Sequence, residues 1–177
     1  MEERNRRANR PPFAILSEVK GAWDFARPGG TFTLIGRADR IERDEDGHLA
    51  ILDYKTGVPP GPRDVEVGLA PQLPLEACMA EEGAFGPELR GVTEELTYWH
   101  LTGGYVPGEV CSLFAGDPKR IAECIATSRA RFLALIDSFD DPGRCYLSQP
   151  HPARAPRFPH YAQLARVAEW TAAGEDA

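Results

Sequence analysis

Asp39, Asp53 and Lys55, within the stretch Gly36 to Gly57, have the types and spacing for metal-assisted hydrolysis. The stretch reads as two strands joined by a turn. With Glu45, Asp46 and Gly47 as a three-residue loop, Gly47 takes the left-handed position such loops need, and Asp44 pairs with His48. Each step back from Asp44 then matches one step forward from His48. Asp39 therefore lies opposite Asp53, with Cβ atoms about 5 Å apart. Asp53 and Lys55, two apart on one strand, point to the same face. A two-residue Asp46-Gly47 turn shifts the register by one and separates them.

Two opposed carboxylates repel unless something positive lies between them, and a hard divalent cation with oxygen ligands meets that need. Mg2+ suits such a site, and Mn2+ accepts the same oxygens. The cation would polarise a phosphodiester oxygen and lower the pKa of a bound water, with Lys55 adding a positive charge beside the reacting phosphorus. The expected reaction is hydrolytic phosphodiester cleavage. The backbone carbonyl of Tyr54 is a further candidate ligand. A competing account makes Asp39 and Asp53 exposed strand-end residues paired with Arg37, Arg40 or Lys55.

The elements that must position these residues are legible around them. Strands are expected over Phe13–Phe25, Thr31–Ile35, Leu49–Lys55 and Glu94–Leu101, from β-branched and aromatic enrichment and from an apolar run that ends in charge. A helix is expected from Gln72 to Glu82, with Leu73, Leu75, Ala77, Cys78 and Met79 as its apolar surface and Pro74 near its start. A longer one runs from Asp117 to Asp137, with Asp117 as N-cap, Pro118 at the first helical position, and Ile121, Cys124, Ile125, Phe132 and Leu135 recurring at helical spacing. Leu164 to Trp170 adds a short helix. Together these give an α/β domain with a central mixed sheet, a hairpin at its heart and flanking helices.

The chain has 177 residues, enough for one core, so a single domain over 1–177 is expected, with a flexible basic segment at 1–12 and a tail at 145–177 packing on the core. No apolar run approaches the ~20 residues that cross a bilayer, and the charged first residues lack a secretory signal; a soluble, cytoplasmic protein is expected. The net charge of −7 argues against a free-standing DNA binder. It leaves room for a catalytic module whose nucleic acid is held by another subunit. Cys78, Cys111, Cys124 and Cys145 form no C-x-x-C pair and read as reduced thiols.

Gly36-Arg-Ala-Asp39-Arg40, Asp53-Tyr-Lys55-Thr-Gly57 and the downstream Gln72, in that order, resemble the RecB-like branch of the PD-(D/E)XK nucleases, and most of all the C-terminal nuclease domains of AddB type. The resemblance implies a restriction-endonuclease-like core, Asp39 and Asp53 as metal-binding acids, Lys55 as catalytic lysine and Gln72 as a glutamine that shapes the site. Glu18 matches an upstream acidic residue of the family or is an ordinary strand residue. Arg37 and Arg40 contact phosphate or pair with neighbouring acids, and Thr56 and Gly57 end the strand and secondarily approach DNA. The implied role is a Mg2+-dependent exonuclease domain working with an AddA-like helicase–nuclease on double-strand ends. Relatives carry the domain at the end of a much longer chain, so these 177 residues read as a detached domain or the product of a truncated gene.

Two departures stand out. The fourth residue after Gln72 is Glu76, where many relatives carry tyrosine. Cys111, Cys124 and Cys145 lack the clustering by which some relatives hold an iron–sulphur cluster, so none is expected. The alternative function is a catalytically silent nuclease fold that docks on a partner. A glycosidase using Asp39 and Asp53 fits less well, because Lys55 stands beside them.

Overall fold

The computed structural model describes residues 12–105, 108–147, 164 and 166. The chain divides into two compact units, Met1–Asp140 and Asp141–Ala177. In the second, Asp141 starts a turn, its carbonyl accepting from Arg144 N at 3.0 Å and its side chain from Gly143 N at 2.8 Å. The expected helix at Leu164–Trp170 and segment 1–12 lie almost wholly outside the described residues.

The first unit is a five-stranded mixed sheet in the order β1-β2-β3-β4-β5, with β1 Ala14–Arg27, β2 Gly30–Arg43, β3 Leu49–Lys55, β4 Thr93–His100 and β5 Glu109–Ser112. This is the mixed α/β architecture expected from the sequence. All ladders are antiparallel except β3 with β4. That parallel pair requires a crossover. It runs through α1 (Pro62–Glu66) and α2 (Gln72–Glu81). The long α3 (Pro118–Phe139) follows β5.

The hairpin forms in the register that brings Asp39 and Asp53 into phase. Asp44 N donates to His48 O at 3.0 Å, and Gly47, at φ 88°, occupies the left-handed position of a three-residue loop. The pairs Arg43–Leu49, Glu42–Ala50, Ile41–Ile51 and Arg40–Leu52 follow. The two strand segments expected on either side of Gly36 are one continuous strand of 14 residues.

Gly21 and Gly36 face each other across β1 and β2. A Cβ on Gly21 would stand 2.8 Å from Ala84 O and 2.6 Å from the Phe85 ring, and one on Gly36 2.9 Å from Met79 Sδ. The paired glycines thus let α2 and the turn after it rest directly on the sheet backbone, which fixes where the start of α2 points. This helix is buried nearly all round, through Leu73, Pro74, Glu76, Ala77, Cys78, Met79 and Ala80, and is not the one-sided helix its apolar residues suggest. It lies between the sheet and α3, where Cys78 Sγ meets Ile125 O at 3.6 Å.

Asp117 caps α3, its Oδ1 accepting from Lys119 N at 3.0 Å. Ile121, Cys124, Ile125 and Ile136 are the buried apolar residues of its face. Leu135, expected there, is 52% exposed. The helical phase over its last turns favours the next residue. Phe132 packs with Trp23, Phe25 and Phe32 and fastens this end of α3 to the β1–β2 ribbon. Among the described residues no helix is long and apolar enough to cross a membrane.

Candidate active site

β3 is buried from Leu49 to Asp53 and emerges half-buried at Tyr54 and Lys55. Its ladder with β2 ends at Arg40–Leu52, one step short of Asp39 and Asp53, while its parallel ladder with β4 continues through Asp53–Tyr98 to Lys55–His100. Past Leu52, then, β3 leaves β2 and stays with β4. Asp39 fills the opening: its Oδ2 accepts the Tyr54 backbone N–H at 3.0 Å. The ladder on the other side of β2 breaks at the same level. Ser17–Arg40 and Val19–Ala38 pair, but Glu18 between them adopts φ 58°. A non-glycine residue in that region is uncommon and costs conformational energy.

Asp53 is 2% exposed. Its Oδ1 accepts from Gln72 Nε2 at 2.7 Å, and its Oδ2 lies 2.7 Å from Lys55 Nζ in an ion pair. Lys55 Nζ also donates to Gln72 Oε1 at 3.1 Å. Gln72, the first residue of α2, thus joins the acid and the lysine. Its Nε2 donates further, to Glu76 Oε1 at 3.1 Å.

Glu76 is 5% exposed, with a carboxyl pushed up to about 7. Burial is the main cause; the hydrogen bond from Gln72 lowers it, the negative charges of Asp53 and Asp39 raise it, and Lys55 lowers it. Tyr98, opposite Asp53, is buried too, and its phenol is raised by burial and then by Asp53 and Glu76. Lys55 Nζ stands 5.7 Å from the centre of its ring.

The donor set consists of oxygens, which suits a hard divalent cation. One of them, Glu76 Oε2, is buried and accepts no hydrogen bond, and Asp53 Oδ2, buried too, is met by the Lys55 ammonium alone. Oxygens of this kind would suit a divalent cation, and Asp39 and Asp53 are the acids that would hold it. Lys55 and the Gln72 amide now lie among the acids, and Asp39, Asp53 and Glu76 do not converge as a trio.

Among the described residues, the trio whose ligand atoms all come within 4.8 Å is Asp44, Asp46 and His48, at the hairpin turn. It is a second candidate metal cluster, about 17 Å along β2 from Asp39 by strand rise. Its members serve the turn: Asp44 Oδ1 accepts from His48 N at 2.8 Å, and His48 Nε2 lies 3.4 Å from Glu94 Oε1.

The remaining sequence candidates make other contacts, with Glu18 at the level of Asp39 on β1. Arg37 pairs with Glu18. Arg40 pairs with Glu42, reaches Tyr54 Oη at 3.4 Å and stands 5.3 Å from the Trp99 ring centre. Thr56 is exposed beyond the end of β3. Glu76 and Tyr98 were not anticipated as site residues. The spacing of Gln72 and Glu76, four apart on a helix, was a signal for the first. For Tyr98 there was none, because its place follows from a parallel pairing between distant segments.

The sequence matches the profile of the PD-(D/E)XK nuclease superfamily over residues 1–167. An uncharacterized protein of Rickettsia felis is 36% identical over 116 residues, covering 63% of this chain and 14% of that protein. Uncharacterized proteins of Rickettsia bellii and Rickettsia conorii are each 42% identical over 71 residues, covering 40% of this chain and 8% of theirs. This chain therefore spans a small fraction of these relatives' length. The solved structure described as "Crystal structure of SSO0001" aligns with a TM-score of 0.36 at 17% identity, over 88% of this chain and 67% of that one.

Proposed function

Because the chain belongs to the PD-(D/E)XK nuclease superfamily, we propose that it is a divalent-metal-dependent deoxyribonuclease that hydrolyses phosphodiester bonds at the Asp39–Asp53–Lys55 site. The observation that carries this reading is the closed network in which Asp53, Lys55 and Gln72 contact one another beside Asp39 at the break in the β2–β3 ladder. Asp39 and Asp53 would hold the cation, with the Tyr54 carbonyl as a further ligand. When bound, Mg2+ or Mn2+ polarises the phosphodiester and lowers the pKa of the attacking water. Lys55 supplies a positive charge to the phosphate oxygens as negative charge builds on them. Gln72 holds the Asp53 carboxylate in place and accepts from Lys55, which limits how far the ammonium swings. Thr56, at the exposed mouth, is a candidate DNA contact.

The wider role follows from the AddB-type sequence motifs: an exonuclease domain working with an AddA-like helicase–nuclease on double-strand ends. A net charge of −7 supports a division of labour in which a partner or another part of a longer polypeptide grips the DNA backbone. The same charge favours a second reading, a docking module of nuclease fold that does not cut. Incubating the chain with end-labelled single- and double-stranded DNA, in Mg2+ or in EDTA, with Lys55→Ala alongside, separates the two. Metal-dependent cutting lost in Lys55→Ala supports the nuclease. Folded wild-type protein that cuts neither alone nor with its helicase partner supports the docking module.

A further inference from the structure

We infer that Glu76 is a positioning residue of this site: through the Gln72 amide it fixes the orientation of the Asp53 carboxylate and the Lys55 ammonium. The inference rests on the nuclease reading above and deepens it by one residue. Gln72 and Glu76 stand four apart on α2, so their side chains share a face of the helix. An amide has one donor end and one acceptor end. The donor end of Gln72 meets Asp53 Oδ1 at 2.7 Å and Glu76 Oε1 at 3.1 Å, and its acceptor end meets Lys55 Nζ at 3.1 Å. Turned over, the amide would aim its oxygen at two carboxyl groups and its NH2 at an ammonium. The two acids and the lysine therefore permit a single orientation.

Of the two acids, Glu76 belongs to the same helix as Gln72 and is buried with it against the sheet, so it forms the fixed side of the bridge. Asp53 is the side that is held. Burying a second carboxyl on the amide that already serves Asp53 is unfavourable, since a buried acid costs free energy unless its polar atoms are partnered. Among the described residues its one side-chain hydrogen bond is the one to Gln72. Hydrogen bonds of this kind, made to a ligating carboxylate by groups behind it, alter metal affinity by roughly 10–100-fold.

The test is the Mn2+ affinity of the full chain, read from the electron paramagnetic resonance of free Mn2+, with Asp46→Asn present throughout to remove the turn cluster. The variants are Asp53→Asn, Gln72→Met, Glu76→Met, Glu76→Gln and the Gln72→Met/Glu76→Met double. Glu76→Met keeps the volume and removes the acceptor; Glu76→Gln keeps an acceptor oxygen. Gln72→Met and Glu76→Met each weaken binding on the order of tenfold. The double variant is no weaker than Gln72→Met alone, because Glu76 acts only through that amide, and Glu76→Gln binds close to the parent. A Glu76→Met protein that binds like the parent, or losses that multiply in the double variant, overturns the inference and leaves the metal site standing. Unchanged binding in Asp53→Asn overturns the site itself.

Discussion

The backbone N–H of Tyr54 donates to the carboxylate of Asp39 at 3.0 Å, where the β2–β3 ladder ends. A side chain here does the work of a strand, satisfying a backbone donor that the departing ladder leaves open. In the proposed site the same carboxylate would also hold the cation. Asp39→Ala should therefore lose about 1 kcal/mol of stability along with metal binding. Asp39→Asn retains an acceptor oxygen and should keep its stability while losing metal affinity by on the order of tenfold or more. Urea unfolding and Mn2+ titration of the pair separate the two roles; equal stability losses in both variants would contradict them.

The raised carboxyl of Glu76 makes stability depend on pH. Its folded pKa of about 7 lies above the ordinary value of 4.5, so the folded chain binds the proton more tightly than the unfolded one. This contribution is fully present below about pH 4.5 and is lost as pH rises to about 7, by on the order of a few kcal/mol. In metal-free buffer, Glu76→Gln should flatten the pH profile across that window. A wild-type profile identical to that of Glu76→Gln between pH 4.5 and 7 would contradict the assignment.

Gly21→Ala should destabilise the fold by about 1–3 kcal/mol, because the added Cβ meets the Ala84 carbonyl and the Phe85 ring and pushes the end of α2 from the sheet. Gly36→Ala meets the flexible end of Met79 and should cost less. Chemical denaturation of both variants gives the order; a milder effect at Gly21 would refute this account of how α2 is seated.

The hairpin was readable because two local rules agree. Gly47 sets the loop, and the period of two then carries Asp39 into phase with Asp53. The N-cap at Asp117 was readable for the same reason, since capping depends on neighbours in sequence. What the sequence hid is what tertiary pairing decides. β5 is four residues long at an edge and carries too little alternation to announce itself. The burial of α2 on all sides needed α3 and the paired glycines, and the fit of Tyr98 beside Asp53 needed the β3–β4 crossover. Glu76 was read as a missing tyrosine; it is the fourth group of the Asp53–Lys55–Gln72 network.

Two acidic groups are candidates for holding a cation, and one assay separates them. Mg2+-dependent cleavage of end-labelled DNA, alone and with an added AddA-like helicase, should be compared in the wild type, Asp53→Asn and Asp46→Asn. The account predicts that Asp46→Asn cuts like the wild type and that Asp53→Asn falls by roughly a thousandfold or more, the loss of several kcal/mol of transition-state stabilisation. Normal cutting by Asp53→Asn, or its abolition by Asp46→Asn, would contradict the account.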